Sequence, residues 1–261
     1  MTIGIGFQCH DGVVLCSDTQ MTARAVYMKY QQSKIYRVGS QVTSPFWMVV
    51  TTFAGNTLLM EALESRLERD LNDCKPFPKV LDVEGCLKDA FPELHQNLLQ
   101  GEDELEILCG VTNEDEHPQL IYGSRTAVFS TNNVRYIGIG DSSLIRFLES
   151  KLYRPEMDAN EAALVGVYMV AQAKEFIEGV GGDTNAAILR PGGWAEFYGP
   201  SDTVDTEQRW GMLEYAGCKI LRKFLDMEVC SDEDFSKAAQ KELKDLIWTR
   251  RAFFSPFINP E

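Results

Sequence analysis

The chain has 261 residues, 44% of them hydrophobic, which is ample for one large domain with a full core; 39 acidic against 25 basic residues leave a net charge of −14. That charge repels a phosphate backbone and argues against a nucleic-acid partner, and no apolar run is long enough to span a bilayer. Seven cysteines without a C-x-x-C pair and three unpaired histidines (His10, His95, His117) argue against a disulfide scaffold and a metal site.

In chain order, residues 2–7 and 13–16 are apolar, β-prone runs around Cys9-His10-Asp11-Gly12, whose Asp-Gly pair signals a hairpin. Strands are expected again at 34–38 and 46–53. Gly55-Asn56 then marks the switch into a helix over 57–73, where Leu59, Leu63, Leu67 and Leu71 recur every fourth position. A second helix, 82–99, carries Pro92 in its interior, which predicts a kink or break. Strand patterns return at 104–112, 118–123, 125–130 and 134–139, split by turns such as Asn113-Glu114-Asp115-Glu116.

Helical periodicity resumes at 141–153 and 159–178, the latter opened by Asp158 and Glu161 at the spacing of a capping box. Strands at 184–189 and 194–198 follow, divided by Arg190-Pro191-Gly192-Gly193. The order of strands, two helices, strands, two helices and strands predicts an α+β fold of two antiparallel sheets packed face to face between helix layers. Residues 203–228 and 232–249 read as two further helices, and the apolar tail at 253–258 must bury itself on its own subunit or on a neighbour.

Thr2 follows an initiator Met1. If Met1 is removed, Thr2 presents a hydroxyl and a free amine on adjacent carbons, so the nucleophile carries its own general base. Asp18 falls at the end of the second strand, within reach of the start of the first. Lys34 opens a later strand that enters the same neighbourhood. A lysine cation there lowers the pKa of the amine, and a carboxylate holds the lysine in place and keeps it protonated.

These residues resemble the catalytic β-subunit family of proteasomes. The match lies in Met1-Thr2-Ile3-Gly4-Ile5-Gly6, Asp11-Gly12-Val13-Val14-Leu15-Cys16-Ser17-Asp18, Lys34-Ile35 and Phe53-Ala54-Gly55-Asn56, with the spacings from Thr2 to Asp18 and Asp18 to Lys34 kept without a gap. Asp18-Thr19-Gln20-Met21-Thr22 and Arg66-Leu67-Glu68-Arg69-Asp70-Leu71 are nearest the bacterial proteasome-like peptidases of ancestral β-subunit type. The match is specific over residues 2–70 and architectural from there to about 200.

The resemblance implies the four-layer αββα sandwich of N-terminal nucleophile hydrolases over 1–200, with 201–261 as a C-terminal helical extension. It also implies Thr2, Asp18, Lys34 and Gly55 as the catalytic set, Gly55 giving its backbone N–H to the oxyanion. Met21, Gln32, Tyr36, Phe53 and Thr57 would line the substrate pocket. The implied activity is a cytoplasmic threonine peptidase without a cofactor, acting on unfolded polypeptides in a homo-oligomeric ring served by a separate ATPase unfoldase.

Three departures stand against this pattern. The family's Gly-Ser-Gly is Gly138-Ile139-Gly140 here, and its Asp-x-x-Ser-Gly-Gly is Ile177-Glu178-Gly179-Val180-Gly181-Gly182. Glu178 and Asp183 are the nearby carboxylates available to replace the lost one. Extra residues also fall between Lys34 and Gly55, around 39–45. A catalytically silent ring subunit and an N-terminal amidase or transpeptidase are the alternative readings.

Overall fold

The computed structural model describes residues 2–23, 28–40, 46–96, 104–225 and part of 233–244. It divides into two compact units, Met1–Pro200 and Ser201–Glu261. The first unit begins with β1 (Ile3–Cys9) and β2 (Gly12–Asp18), joined by the tight turn that Asp11-Gly12 predicts, then a small hairpin of β3 (Gln20–Ala23) and β4 (Met28–Gln31). Next come β5 (Ile35–Ser40), β6 (Trp47–Ala54), α1 (Thr57–Asn72) and α2 (Val80–His95).

Four strands, β7 (Glu106–Asn113), β8 (Gln119–Gly123), β9 (Val128–Thr131) and β10 (Arg135–Gly138), precede a 3-10 turn (Ile139–Asp141) and two helices, α3 (Ser143–Leu152) and α4 (Ala159–Phe176). The unit closes with β11 (Thr184–Arg190) and β12 (Trp194–Tyr198). After it, α5 spans Pro200–Leu225. The expected helix at 232–249 lies largely outside the described residues, and the tail at 253–258 lies wholly outside them, as do Met1, 41–45 and 97–99.

Two five-stranded antiparallel sheets form, in the orders β10-β1-β2-β11-β12 and β5-β6-β7-β8-β9. Alternation within their strands separates two cores. Val13, Leu15, Met48, Val50, Leu108, Leu120, Ala187 and Leu189 meet between the sheets. From the other face of the second sheet, Val49, Phe53, Ile107, Cys109 and Ile121 pack against Met60, Leu63 and Leu67 of α1 and Val83, Leu87 and Phe91 of α2. On the far side α4 covers β1, β2 and β11, with α3 beside it. The first unit is thus the four-layer α+β sandwich expected, of the fold class of N-terminal nucleophile hydrolases.

Local chemistry sets the helix ends. Asn56 caps α1 by accepting from Leu58 N at 2.9 Å, and Asp158 caps α4 by accepting from Glu161 N at 2.8 Å. One expectation needs correction. Pro92 does not break α2, which runs on to His95; the proline forgoes only its own N–H bond to the Lys88 carbonyl, three residues before the helix ends. The β3–β4 hairpin was not foreseen, because its strands of four residues each are too short for their alternation to stand out.

Candidate functional site

Thr2 immediately precedes β1, the second strand from the edge of its sheet, with β10 on one side and β2 on the other. Its carbonyl accepts from Ile139 N at 2.9 Å. The grip depends on Gly138, which has φ +66°; a Cβ built there would lie 2.2 Å from that carbonyl oxygen. Only glycine tolerates both the conformation and the approach.

On the opposite side the antiparallel β1–β2 hairpin brings Asp18 back to the start of β1. Asp18 Oδ1 accepts from Ile3 N at 3.1 Å and from Lys34 Nζ at 2.8 Å, while Oδ2 accepts from Gly181 N at 3.3 Å. Lys34, entering β5, also donates from Nζ to Thr2 Oγ1 at 2.9 Å. The Lys34 and Asp18 side chains are both 0% exposed, so their ion pair is sealed from water. Burial pulls the Lys34 pKa below its ordinary value, and Asp18 opposes that pull by charge and hydrogen bond.

The segment 177–183 is stitched to this corner through its backbone. Thr19 N donates to Asp183 O and Gln20 N to Gly181 O, each at 3.0 Å, and Asp183 N returns a bond to Thr19 Oγ1 at 2.7 Å. Val180 is buried and Glu178 is exposed. At Ile139 and around Val180, backbone N–H groups therefore hold Thr2 and Asp18.

Gly55 follows β6 with φ +112°, and a Cβ there would meet Glu104 O at 1.8 Å. Its neighbour Ala54 lies against Gly138, whose built Cβ would be 3.0 Å from Ala54 Cβ. Gly55 is thus one residue from the turn that holds Thr2. Among the other expected site residues, Tyr36 and Phe53 meet edge to face with ring centroids 5.6 Å apart, and Gln32 Nε2 donates to Tyr36 OH at 3.1 Å. Met21 and Phe53 are buried in the apolar cluster beneath α1, and Thr57 is the first residue of that helix. The Tyr36 hydroxyl pKa is raised, mainly by burial and then by Glu64 and Glu61 of α1.

The structure adds groups that no motif signalled. Ser17 Oγ, Thr52 Oγ1 and Asn185 Oδ1 are buried without a hydrogen-bond partner among the described residues. Ser17 precedes Asp18 and pairs with Asn185 across β2 and β11; Thr52 pairs with Ile35, next to Lys34. Only strand register reveals this grouping. Among the described residues no three His, Cys, Asp or Glu side chains gather as metal ligands.

A lysine cation hydrogen-bonded to a hydroxyl can stabilise an alkoxide as it forms, and a carboxylate fixed by two backbone N–H groups can hold that cation in place. Against known proteins, a model of the proteasome subunit family matches residues 2–188. Among solved structures, the ancestral β-subunit Anbu from Yersinia bercovieri superposes with a TM-score of 0.67 at 13% identity, over 80% of this chain and 93% of that one. The Anbu (Gly-1) mutant from Hyphomicrobium sp. strain MC1 gives 0.67 at 16% identity, over 84% and 97%. A helical assembly of the Anbu complex from Pseudomonas aeruginosa gives 0.66 at 14%, over 83% and 95%. No curated protein matches the sequence.

Proposed function

Since this chain belongs to the proteasome subunit family, we propose that it is an N-terminal threonine peptidase, with Thr2 as nucleophile once Met1 is removed. The observation that carries the reading is Lys34 Nζ at 2.9 Å from Thr2 Oγ1 and 2.8 Å from Asp18 Oδ1, in a buried pair.

The freed α-amine, ordinarily titrating near 7.7 to 8.0, takes the Thr2 hydroxyl proton as Oγ1 adds to a peptide carbonyl. Lys34 stabilises the charge growing on Oγ1, and the Gly55 N–H receives the oxyanion. The C–N bond then breaks, its nitrogen leaving with the proton from the α-ammonium. Water deprotonated by the same amine resolves the acyl-threonine ester. Met21, Gln32, Tyr36, Phe53 and Thr57 shape the pocket on the acyl side.

In this reading the substrate is an unfolded polypeptide, admitted to a cytoplasmic homo-oligomer by a separate ATPase unfoldase. Residues 201–261 act as an extension that packs on their own subunit or on a neighbour. The helical assembly reported for the Anbu complex supports self-association. A silent ring subunit is the competing reading, favoured by Ile139 and Val180 where hydroxyls are expected; an amidase or transpeptidase is the other.

Mass spectrometry of an unfolded polypeptide incubated with the protein and with Thr2→Ala separates these readings. Fragments with free carboxyl termini that need Thr2 support the peptidase. Ligated products point to acyl transfer, and identical traces for the two proteins point to the silent subunit.

A further inference from the structure

Strand alternation places Glu106 on the face of β7 shared with Leu108, the face that packs against the first sheet. Glu106 is the first residue of the strand, half-buried at the end of that face, and each of its carboxylate oxygens accepts a hydrogen bond. Oε1 accepts from Tyr122 OH and Oε2 from Gly138 N, both at 2.9 Å. Gly138 is the residue whose positive φ brings Ile139 N onto the Thr2 carbonyl, so the N–H held by Glu106 and the N–H held by Thr2 belong to consecutive residues. Glu106 also pairs in register with Ala54, the residue before Gly55.

We propose that Glu106 is a positioning residue for the catalytic amine: it fixes the Gly138–Ile139 turn that grips Thr2 and supplies the negative charge beside the terminal ammonium. The inference rests on the peptidase reading above. The family's usual carboxylate position is Ile177, and the nearby Glu178 is exposed; Glu106 reaches the same end of the molecule from the opposite sheet.

The charges around the amine divide by element. Lys34 at the entry to β5 pushes its pKa down, while Asp18 on β2 and Glu106 on β7 push it up. Glu106 bonds Tyr122 on β8 and shares the lining of a cavity of about 560 Å³ with Arg135 and Tyr136 on β10 and Arg146 and Glu149 on α3. Without Glu106 the amine beside Lys34 becomes too weak a base to accept the hydroxyl proton efficiently.

The test uses full-length chain released with Thr2 as its first residue, dimethylated at the α-amine with ¹³C and titrated by NMR; this readout does not depend on catalysis. In Glu106→Gln the amine titrates about one pH unit lower than in the parent, and in separate samples left unmethylated the acidic limb of the rate of epoxyketone adduct formation moves down with it. Glu106→Asp keeps the charge one methylene further from Gly138 and gives an intermediate midpoint. Coincident titrations in parent, Gln and Asp variants would overturn the proposal. A shift between parent and Glu106→Gln, together with an unmethylated parent that never forms an adduct, would sink the peptidase reading while leaving the placement of Glu106 supported.

Discussion

Lys34 and Asp18 carry opposite charges with no exposure to solvent, and Thr2 Oγ1 is the one further side-chain group bonded to Lys34 Nζ among the described residues. Breaking such a pair leaves an uncompensated buried charge, which costs about 3 to 5 kcal/mol. Lys34→Ala is therefore expected to lower the urea midpoint sharply and to slow adduct formation at Thr2 about 100-fold or more. The double variant Asp18→Leu/Lys34→Met, which removes both charges, recovers most of the stability and none of the reactivity. If the double variant also recovers reactivity, the pair is structural and has no part in the chemistry. Thr2, Asp18 and Lys34 were legible because their spacing along paired strands is itself a motif. The N–H groups of Ile3, Ile139 and Gly181, and the carboxylate of Glu106, were not, because their roles exist only after β1, β2, β7 and β10 come into register.

At the scale of the element, the two glycines with positive φ near Thr2 lie at strand ends where the backbone of another segment passes within contact. Gly138→Ala combines a strained φ with a Cβ 2.2 Å from the Thr2 carbonyl. It is expected to cost about 1 to 3 kcal/mol of stability and to reduce adduct formation by more than that loss explains, which thermal melts and adduct kinetics on the folded fraction measure. Unchanged kinetics would separate the turn from the site. Most elements were readable from period alone: fourfold leucines gave α1, the Asp-Gly turn gave the first hairpin, and the Asp158 cap opened α4. The β3–β4 hairpin was missed because Gln20–Ala23 and Met28–Gln31, four residues each, are too short for their period of two to stand out. The same shortness explains why 125–130 became a strand only from Val128, after the Ser124–Ala127 backbone bonds close a turn.

For the whole molecule, the four layers bury thiols and so disfavour their ionisation. Burial pushes Cys9 from an ordinary 9.0 up to about 12, with Asp11 adding to the effect, and pushes Cys16 and Cys109 higher still. Each thiol's contribution to stability is complete below pH 9 and is lost as pH rises toward the folded value, by about 1.4 kcal/mol per thiol per pH unit. Lys34 works in the other sense, since its lowered pKa makes its contribution rise with pH up to 10.5. The drop in urea midpoint between pH 8 and pH 10.5 should therefore be smaller in Cys16→Ala/Cys109→Ala than in the parent; equal drops would mean that these thiols ionise in the folded state. The layered architecture was legible from the order of elements, whereas the pairing of Glu106 with the Thr2 corner required the sheets to be stacked.

The central claim is that Thr2 becomes a nucleophile with its own base. It is tested most directly by the intact mass of the purified protein before and after incubation with a peptide epoxyketone, which reacts with both the hydroxyl and the free amine of a terminal threonine. Loss of Met1 followed by one adduct per chain, mapped to Thr2, is the predicted result. A retained Met1, or a free Thr2 that stays unmodified, would contradict it.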